Sequence, residues 1–213
     1  MPARRLRLDA IAALPDDAPV ITQLQGRLAG IDNAALTVEV EVAGVTYGVL
    51  VPLFLWPEIH DLAGEAELDN PGEQPPVHFH IYYHATQNVP APVLVGFFRR
   101  AEREFFRKFT TVEGIGPLKA VKAMSVSVSV IARAIEQEDR TALAKLPGIG
   151  PRAADKVIAT LRGKVTAEAA MQDAGIETPV DTSSLEKSRV NEDAVAAIVA
   201  LGYSRAEARR WVR

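Results

Sequence analysis

The chain has 213 residues, 48% of them hydrophobic, carries a formal net charge of −3 and contains no cysteine. This hydrophobic content allows buried cores and excludes wholesale disorder, and no apolar run approaches the ~18 residues that a membrane span needs. The lack of cysteine excludes disulfides, thiol nucleophiles and cysteine-based zinc sites, and is typical of the reducing cytoplasm. We therefore expect a cytoplasmic protein with no membrane partner.

Residues 1–19 are predicted to be an N-terminal extension. Arginines at 4, 5 and 7, followed by apolar positions, permit a short amphipathic helix that ends near Pro15. A mobile tail is the favoured alternative, because chain termini are commonly free.

Residues 20–98 show apolar positions with a period of two, interrupted by glycines, which is typical of short, strongly coiled strands. Residues 57–76 are acidic and rich in turn formers, and predict a loop or a short helix. Strands are expected at 77–84 and 93–98, with the prolines of ATQNVPAP ending the pairing between them. Five or six strands in this length predict an antiparallel barrel of the OB type.

From Arg99 to residue 165 the hydrophobic period becomes helical and predicts about five helices. Phe105, Phe106 and Phe109 share one helix face, which indicates core positions rather than platforms for base stacking. The arginines between 99 and 107 form either a solvated face or the flank of a ligand groove.

The stretch LAKLPGIGPRAADKVIATL, residues 143–161, predicts two helices joined by a hairpin. Its two glycines permit a tight turn and leave backbone N–H groups accessible, and the isoleucine between them can fill the gap between the helices. The proline after them suits the first position of a helix, whose N-terminal amides attract anions. The candidate phosphate-binding residues here are Gly148, Ile149, Gly150, Arg152 and Lys156.

A weaker copy, VEGIGPLKAVKAM, lies 34 residues upstream and makes an internal repeat. Leu118 stands where the second copy has Arg152, so a plain packing motif is a stronger alternative for this hairpin than for the other. The candidate residues of the first hairpin are Gly114, Ile115, Gly116, Lys119 and Lys122.

The charge distribution explains how an acidic chain could bind nucleic acid. Residues 99–165 contain 14 Lys and Arg against 7 Asp and Glu, a balance of +7, whereas the rest holds 10 basic and 20 acidic residues, a balance of −10. The positive charge coincides with the two hairpins, as an electrostatic footprint for phosphates requires. The predicted ligand is a nucleic-acid backbone.

Residues 166–188 lack a sustained period and are predicted to be a flexible linker. Residues 189–213 predict a short helical domain with two helices joined by a Leu-Gly-Tyr turn. This segment is too short to bury a stable core alone, so it either docks elsewhere or lacks a third helix.

The order of barrel, tandem hairpins, linker and helical tail closely resembles the RuvA family, whose members bind Holliday junctions in the bacterial branch-migration complex. The resemblance covers roughly residues 20–213. It is carried by the motifs ITQLQGRL, VAGVTYGVLVP, GFFRRAEREFFRKFTTVEGIGP, ALAKLPGIGPRAADKVI and DAVAAIVALGYSRAEA.

The resemblance implies a multi-domain α+β protein with an OB-type barrel, a tandem helix-hairpin-helix domain and a small UBA-like tail. It implies a homotetramer, or an octamer, that holds a four-way junction open while the hairpins grip the minor-groove backbone. The tail, with Leu201, Gly202 and Tyr203 in its turn, would bind the hexameric ATPase RuvB, and the RuvC resolvase is a further implied partner. The chain would have no catalytic site, metal or cofactor of its own, since RuvB uses the ATP; no P-loop motif occurs in it.

Two departures from the family pattern stand out. Family members carry a pair of acids, the acidic pin, in the turn that matches residues 84–93, whereas this chain has Gln87 and Asn88 there and no acid. Strand separation by charge repulsion is therefore in question, although these two side chains could act as a steric wedge. The tail also ends about one helix short of the family's third domain, and residues 1–19 precede the usual start, as an extension or through a misassigned initiation codon.

Three alternatives remain open from the residues. A general duplex-binding adaptor would use the same hairpins without a preference for junctions. An enzyme, a glycosylase or a nuclease, could use the hairpin to hold DNA; a hairpin glycosylase needs a catalytic Asp about 20 residues beyond the hairpin, where this chain has Glu168 in the predicted linker. His78, His80 and His84 fall on one strand face, where a solvated or packed surface is favoured over a metal site.

Overall fold

The structure, a computed structural model, describes residues 20–64, 66, 68, 70, 72–86, 89–171 and 194–195. Five strands close into a barrel in the order β1-β2-β3-β5-β4. The strands are β1 (Gln23–Asp32), β2 (Thr37–Val42), β3 (Val45–Leu50), β4 (Pro76–Thr86) and β5 (Val89–Phe97). Antiparallel pairing of β1 with β4 completes the closure, and the predicted OB-type barrel is confirmed. One junction differs from the antiparallel expectation, because β3 and β5 pair in parallel with Leu50 opposite Val95.

Two glycines of the barrel lie where backbone or side chains approach too closely for any other residue. A Cβ on Gly26 would lie 2.1 Å from the carbonyl oxygen of Glu41 on the neighbouring strand. A Cβ on Gly96 would lie 2.7 Å from Val49 and 3.0 Å from Phe79, inside the barrel. Sharp coiling of the strands therefore depends on these positions, as glycines within strands predict.

The hairpin between β4 and β5 is longer than the sequence pattern predicts. Thr86 pairs with Val89, so most of ATQNVPAP is strand and the prolines do not end the pairing. The register shifts between His84 and Thr86. Pro90 and Pro92 fall within this irregular stretch, where a missing backbone N–H removes no regular ladder hydrogen bond.

Seven α-helices occur in the described residues up to Met171. They are α1 (Trp56–Ala63), α2 (Arg100–Phe109), α3 (Pro117–Ala123), α4 (Val128–Glu136), α5 (Arg140–Leu143), α6 (Pro151–Leu161) and α7 (Thr166–Ala169). α1 occupies the stretch predicted as a loop or short helix, and its Trp56 donates a hydrogen bond from Nε1 to the Val51 carbonyl at 3.1 Å. The five helices α2 to α6 correspond to the five predicted between residues 99 and 165.

One hydrophobic core joins the barrel to the helices. Phe106 of α2 meets Phe97 of β5 and Tyr82 of β4 with ring centroids about 5 Å apart. Phe105, Phe106 and Phe109 are all fully buried, which confirms that they are core residues. A backbone hydrogen bond of 3.0 Å from Phe54 to Met124 ties the loop after β3 to the end of α3. The helices therefore have a fixed position on the barrel.

The predicted linker begins too early at residue 166. Residues Thr166–Ala169 form α7, which packs against α4. Glu168 of α7 is only 6% exposed, and its Oε1 lies 2.6 Å from Lys108 Nζ on α2. The local sequence is poor in apolar residues, and an ion pair across 60 residues of chain anchors the helix, which explains why periodicity missed it.

Several predictions fall outside the described residues. These are the extension at 1–19, the turn residues Gln87 and Asn88, the linker beyond residue 171, and the tail with Leu201, Gly202 and Tyr203. Within the tail, Ala194 and Val195 are described as helical, and Val195 is buried.

Candidate nucleic-acid interface

The two hairpins have the same backbone architecture. In the first, the Ile115 amide donates to the Val112 carbonyl at 3.0 Å; in the second, Ile149 donates to Leu146 at 2.9 Å. The helix after each hairpin begins with the same bond, from residue 120 to Gly116 and from residue 154 to Gly150, at 2.9 Å in both. The predicted internal repeat is therefore a structural repeat.

The first glycine of each hairpin makes the turn. Gly114 has a φ of +81° and Gly148 a φ of +75°, a left-handed conformation that costs other residues roughly 1–2 kcal/mol. The second glycine has a different role. Gly116 and Gly150 are extended N-caps with φ near −81° and −84°, each followed by a proline at the start of its helix.

The second glycines face open space. A Cβ placed on Gly116 or Gly150 would meet no atom within 4 Å. The first N–H groups of a helix have no partner within the helix, so at α6 they are accessible to an anion beside the bare Gly150 backbone. A phosphate could approach this backbone more closely than any side chain would allow.

Ile115 and Ile149 do not offer their side chains to a ligand. Both are 2% exposed and belong to the core, which agrees with the packing role predicted for Ile149. Their role as binding residues stays a prediction, and it is limited to their backbone atoms, because the side chains are buried in the core.

Lys119 lies between the two hairpins. Its Nζ donates to the Gly114 carbonyl at 3.2 Å, and its aliphatic stem would lie 3.8 Å from a Cβ on Gly148. The ammonium group of Lys119 therefore contacts the first turn while its stem lies beside the second, so the two turns are adjacent. Lys122 and Arg152 are exposed on α3 and α6, so both can reach a ligand at this face.

Lys156 has a partner that the sequence did not reveal. Its Nζ lies 2.9 Å from Oε2 of Glu113, an exposed residue of the first hairpin. The hydrogen bond from Lys156, followed by its charge, lowers the pKa of the Glu113 carboxyl from its ordinary value. In the sequence, the pair is signalled only by the acid Glu113 next to Gly114. Lys156 lies 43 residues further along the chain, so no local pattern connects the two.

The hairpins differ at the second position of their helices. Leu118 is 61% exposed at the start of α3, where α6 has Arg152. An exposed leucine at the mouth of a hairpin can contact the apolar edge of a sugar and adds no charge. The second hairpin is therefore better equipped for a phosphate.

The arginines of α2 are mostly engaged with glutamates. Arg103 lies 2.8 Å from Glu104, and Arg107 lies 3.1 Å from the other oxygen of the same carboxylate. The hydrogen bond from Arg103 is the largest of several contributions that lower the pKa of Glu104. Arg99 pairs with the buried Glu102. These contacts favour a solvated, internally paired face for α2 over a groove flank.

The strand histidines interact with neighbouring side chains. The rings of His78 and His80 are 5.1 Å apart, and His80 Nδ1 lies 3.5 Å from Gln23 Nε2. Burial, followed by the charges of His78 and nearby arginines, lowers the pKa of His80. His84 stacks on Tyr82. Within the described ranges, no group of three or more metal-binding side chains could hold an ion.

Glu168, the position at which a hairpin glycosylase would need its acid, has a structural partner. Besides Glu168 Oε1, Lys108 Nζ contacts the Lys164 carbonyl at 2.8 Å. This buried carboxylate, paired with a lysine of α2, anchors α7. No helix in the described part of the chain is long and apolar enough to cross a membrane.

Comparison with known proteins agrees with this geometry. The family described as a SAM-like helix-hairpin-helix tandem matches residues 106–162. Three similar relatives are each named Holliday junction branch migration complex subunit RuvA. The protein from Desulfatibacillum aliphaticivorans is 47% identical over 122 residues, which are 57% of this chain and 55% of the relative. That from Desulfosudis oleivorans is 39% identical over 168 residues, 79% of this chain and 76% of the relative.

The third relative extends the match over most of the chain. The protein from Actinobacillus succinogenes is 31% identical over 199 residues, 91% of this chain and 90% of the relative. In the Desulfatibacillum comparison, by contrast, the chain spans little more than half of the relative's length.

Proposed function

Because the chain belongs to the RuvA family of Holliday junction branch migration complex subunits, we propose that it binds four-way DNA junctions through its two hairpins. The observation that carries the proposal is the pair of adjacent hairpins, each with a bare glycine at the start of a helix and with Lys119 between them. Two such turns on one rigid unit can hold two phosphates of one duplex arm at a fixed spacing.

The binding is expected to depend on backbone contacts and geometry. Backbone amides and lysines recognise phosphates and carry no direct sequence information. Affinity should therefore fall steeply with salt, since neutralised phosphates release counterions. Selectivity for a junction would come from the way several subunits together position the arms of the DNA junction, and not from contacts with base edges.

The decisive variant is Gly150→Asp. Gly150 has the extended conformation of an N-cap, and Asp is a favoured N-cap residue, so the substitution should stabilise α6 while its carboxylate occupies the amides and repels phosphate. Gly150→Asn adds similar bulk without the charge. Ala159→Asp adds the same charge on the exposed side of α6, about 13 Å along the helix.

We expect Gly150→Asp to lose binding to a labelled four-way junction in a gel-shift assay, Gly150→Asn to lose less, and Ala159→Asp to bind as the parent does. Equal binding by Gly150→Asp and the parent chain would refute the hairpin assignment. A linear duplex of the same arm sequence tests the alternative of a general duplex adaptor, which predicts equal affinity for duplex and junction. Loss of the acids from the turn at Gln87 and Asn88 keeps that alternative worth testing.

We further propose that the chain acts as a homotetramer or octamer, that its tail recruits the RuvB ATPase, and that RuvB alone uses ATP. Native mass spectrometry with and without junction DNA tests the assembly, because a monomer–duplex complex would contradict it. Tyr203→Ala in the full chain tests the tail. It should reduce RuvB-dependent branch migration and leave junction binding intact, whereas unchanged migration would place the RuvB contact elsewhere.

A further inference from the structure

The first hairpin carries a negative charge that the second lacks. When the repeats are aligned at their glycines, Glu113 corresponds to Pro147, and Lys122 corresponds to Lys156. The carboxylate is 86% exposed beside Gly114, on the face where phosphates would bind. An acid at such a place opposes an anionic ligand unless it has another task.

In this structure the Glu113 carboxylate forms an ion pair with Lys156. Glu113 Oε2 and Lys156 Nζ are 2.9 Å apart, and the lysine side chain is itself half exposed. The pair is not required to join the hairpins, because Ile115 and Ile149 bury their side chains in the common core and Lys119 already spans the turns. An exposed ion pair of this kind contributes little to stability.

Resting on the proposed function, we propose that Glu113 is a built-in competitor for DNA: it occupies Lys156 in the free protein, and a phosphate must displace it to gain that lysine. A phosphate at the second hairpin also has the amides at the start of α6, so it can win the exchange. The released carboxylate then stays near the phosphate and repels it. Glu113 therefore lowers the affinity for DNA and speeds its dissociation.

A weakened grip suits a subunit of a complex that moves DNA, because phosphates must leave each hairpin as the next ones arrive. It also makes the two hairpins unequal, since a phosphate at the second hairpin gains Lys156 only after the ion pair has opened. The opposite role predicts the opposite result: if the carboxylate held Lys156 in its binding position, removing the carboxylate would reduce the affinity for DNA.

The test is a comparison of Glu113→Gln with Glu138→Gln. Glu138 pairs with Arg162 at the far end of α6, about 16 Å from the hairpins, so the control removes an exposed acid from an ion pair without touching the site. At low ionic strength we expect Glu113→Gln to bind a four-way junction about threefold more tightly and to dissociate more slowly, while Glu138→Gln matches the parent chain. Unchanged or weaker binding by Glu113→Gln would refute the inference.

A double variant separates competition for Lys156 from simple repulsion. In a Lys156→Gln background, Glu113 has no lysine to pair with. Adding Glu113→Gln there should raise the affinity for the junction by clearly less than Glu113→Gln raises it in the parent chain. An equal gain in both backgrounds would mean that Glu113 acts only by repelling DNA, and the inference would be wrong. Failure of the parent chain to bind a junction at all would instead contradict the proposed function.

Discussion

Replacing Lys108 by Met is expected to destabilise the helical unit, because it leaves a buried carboxylate without its cation. Lys108 Nζ contacts Glu168 Oε1 at 2.6 Å and the Lys164 carbonyl at 2.8 Å. The side chain of Glu168 is only 7% exposed, and its Oε2 is buried with no hydrogen-bond partner among the described residues. This carboxylate therefore depends on Lys108.

The magnitude follows from the burial of the two partners. Removing one partner of a fully buried ion pair, so that the other charge stays buried alone, costs about 3–5 kcal/mol. The Lys108 side chain is 32% exposed, so water can partly replace it and the expected loss is about 2 kcal/mol. For a protein of this size such a loss lowers the Tm by about 4–8 °C.

Urea denaturation measures the loss of unfolding free energy, and differential scanning calorimetry measures the fall in Tm. The matched control is Arg107→Met. Arg107 is 67% exposed and pairs with Glu104 on the same helix, so its replacement should cost less than about 0.5 kcal/mol. The double variant Lys108→Met/Glu168→Leu removes both charges and should recover most of the stability. Equal effects of Lys108→Met and Arg107→Met would refute this account of how α7 is anchored.

Three further outcomes follow from local geometry. Gly148→Ala should cost about 1–2 kcal/mol because of its φ of +75°, whereas Gly150→Ala, with a negative φ and open space, should cost only about 0.5 kcal/mol, through the poorer N-cap that alanine makes. Gly96→Ala should cost about 1–3 kcal/mol by forcing a methyl against Val49 and the ring of Phe79, and in a Val49→Ala background the added cost should be smaller. Burial, followed by neighbouring positive charge, lowers the pKa of His80 from 6.5, so the unfolded chain binds this proton more readily and stability falls as pH drops below that value through the folded pKa. His80→Gln should therefore lessen the acid-induced fall in urea midpoint, and an unchanged pH profile would count against this cause.

The parts of the fold that sequence predicts are those whose causes are local. Alternation with interspersed glycines identified the barrel, since each strand must bury one face and the glycines relieve close approaches such as that of Gly26 to Glu41. The hairpins were recognisable because the turn has a positive φ that favours glycine at its first position, and because the helix that follows begins at a proline. These requirements act within a few residues.

The features that sequence missed depend on contacts between distant residues. The four residues of α7 are held by Lys108, 60 positions away from Glu168. The pair between Glu113 and Lys156 spans 43 positions and arises only when the two hairpins are packed together. The extension of β5 to Val89 depends on a register shift that accommodates two prolines. No local period signals any of these.

The charge of the chain gains a physical meaning once the barrel is separated from the helices. Residues 20–98 carry nine acids against Arg27 as the single Lys or Arg, a balance of −8, beside the balance of +7 in residues 99–165. Six of these nine acids, all but Glu65, Glu67 and Asp69, lie in described residues; because the barrel and the helices share one core, the separation of their charge from that of the helices is fixed in direction and produces a field across the protein. Such a field draws a polyanion to the helical side and repels it from the barrel, so an overall charge of −3 is compatible with rapid binding in one orientation. Glu113 is one of seven acids in this positively charged region, and it lies beside the first glycine of a hairpin.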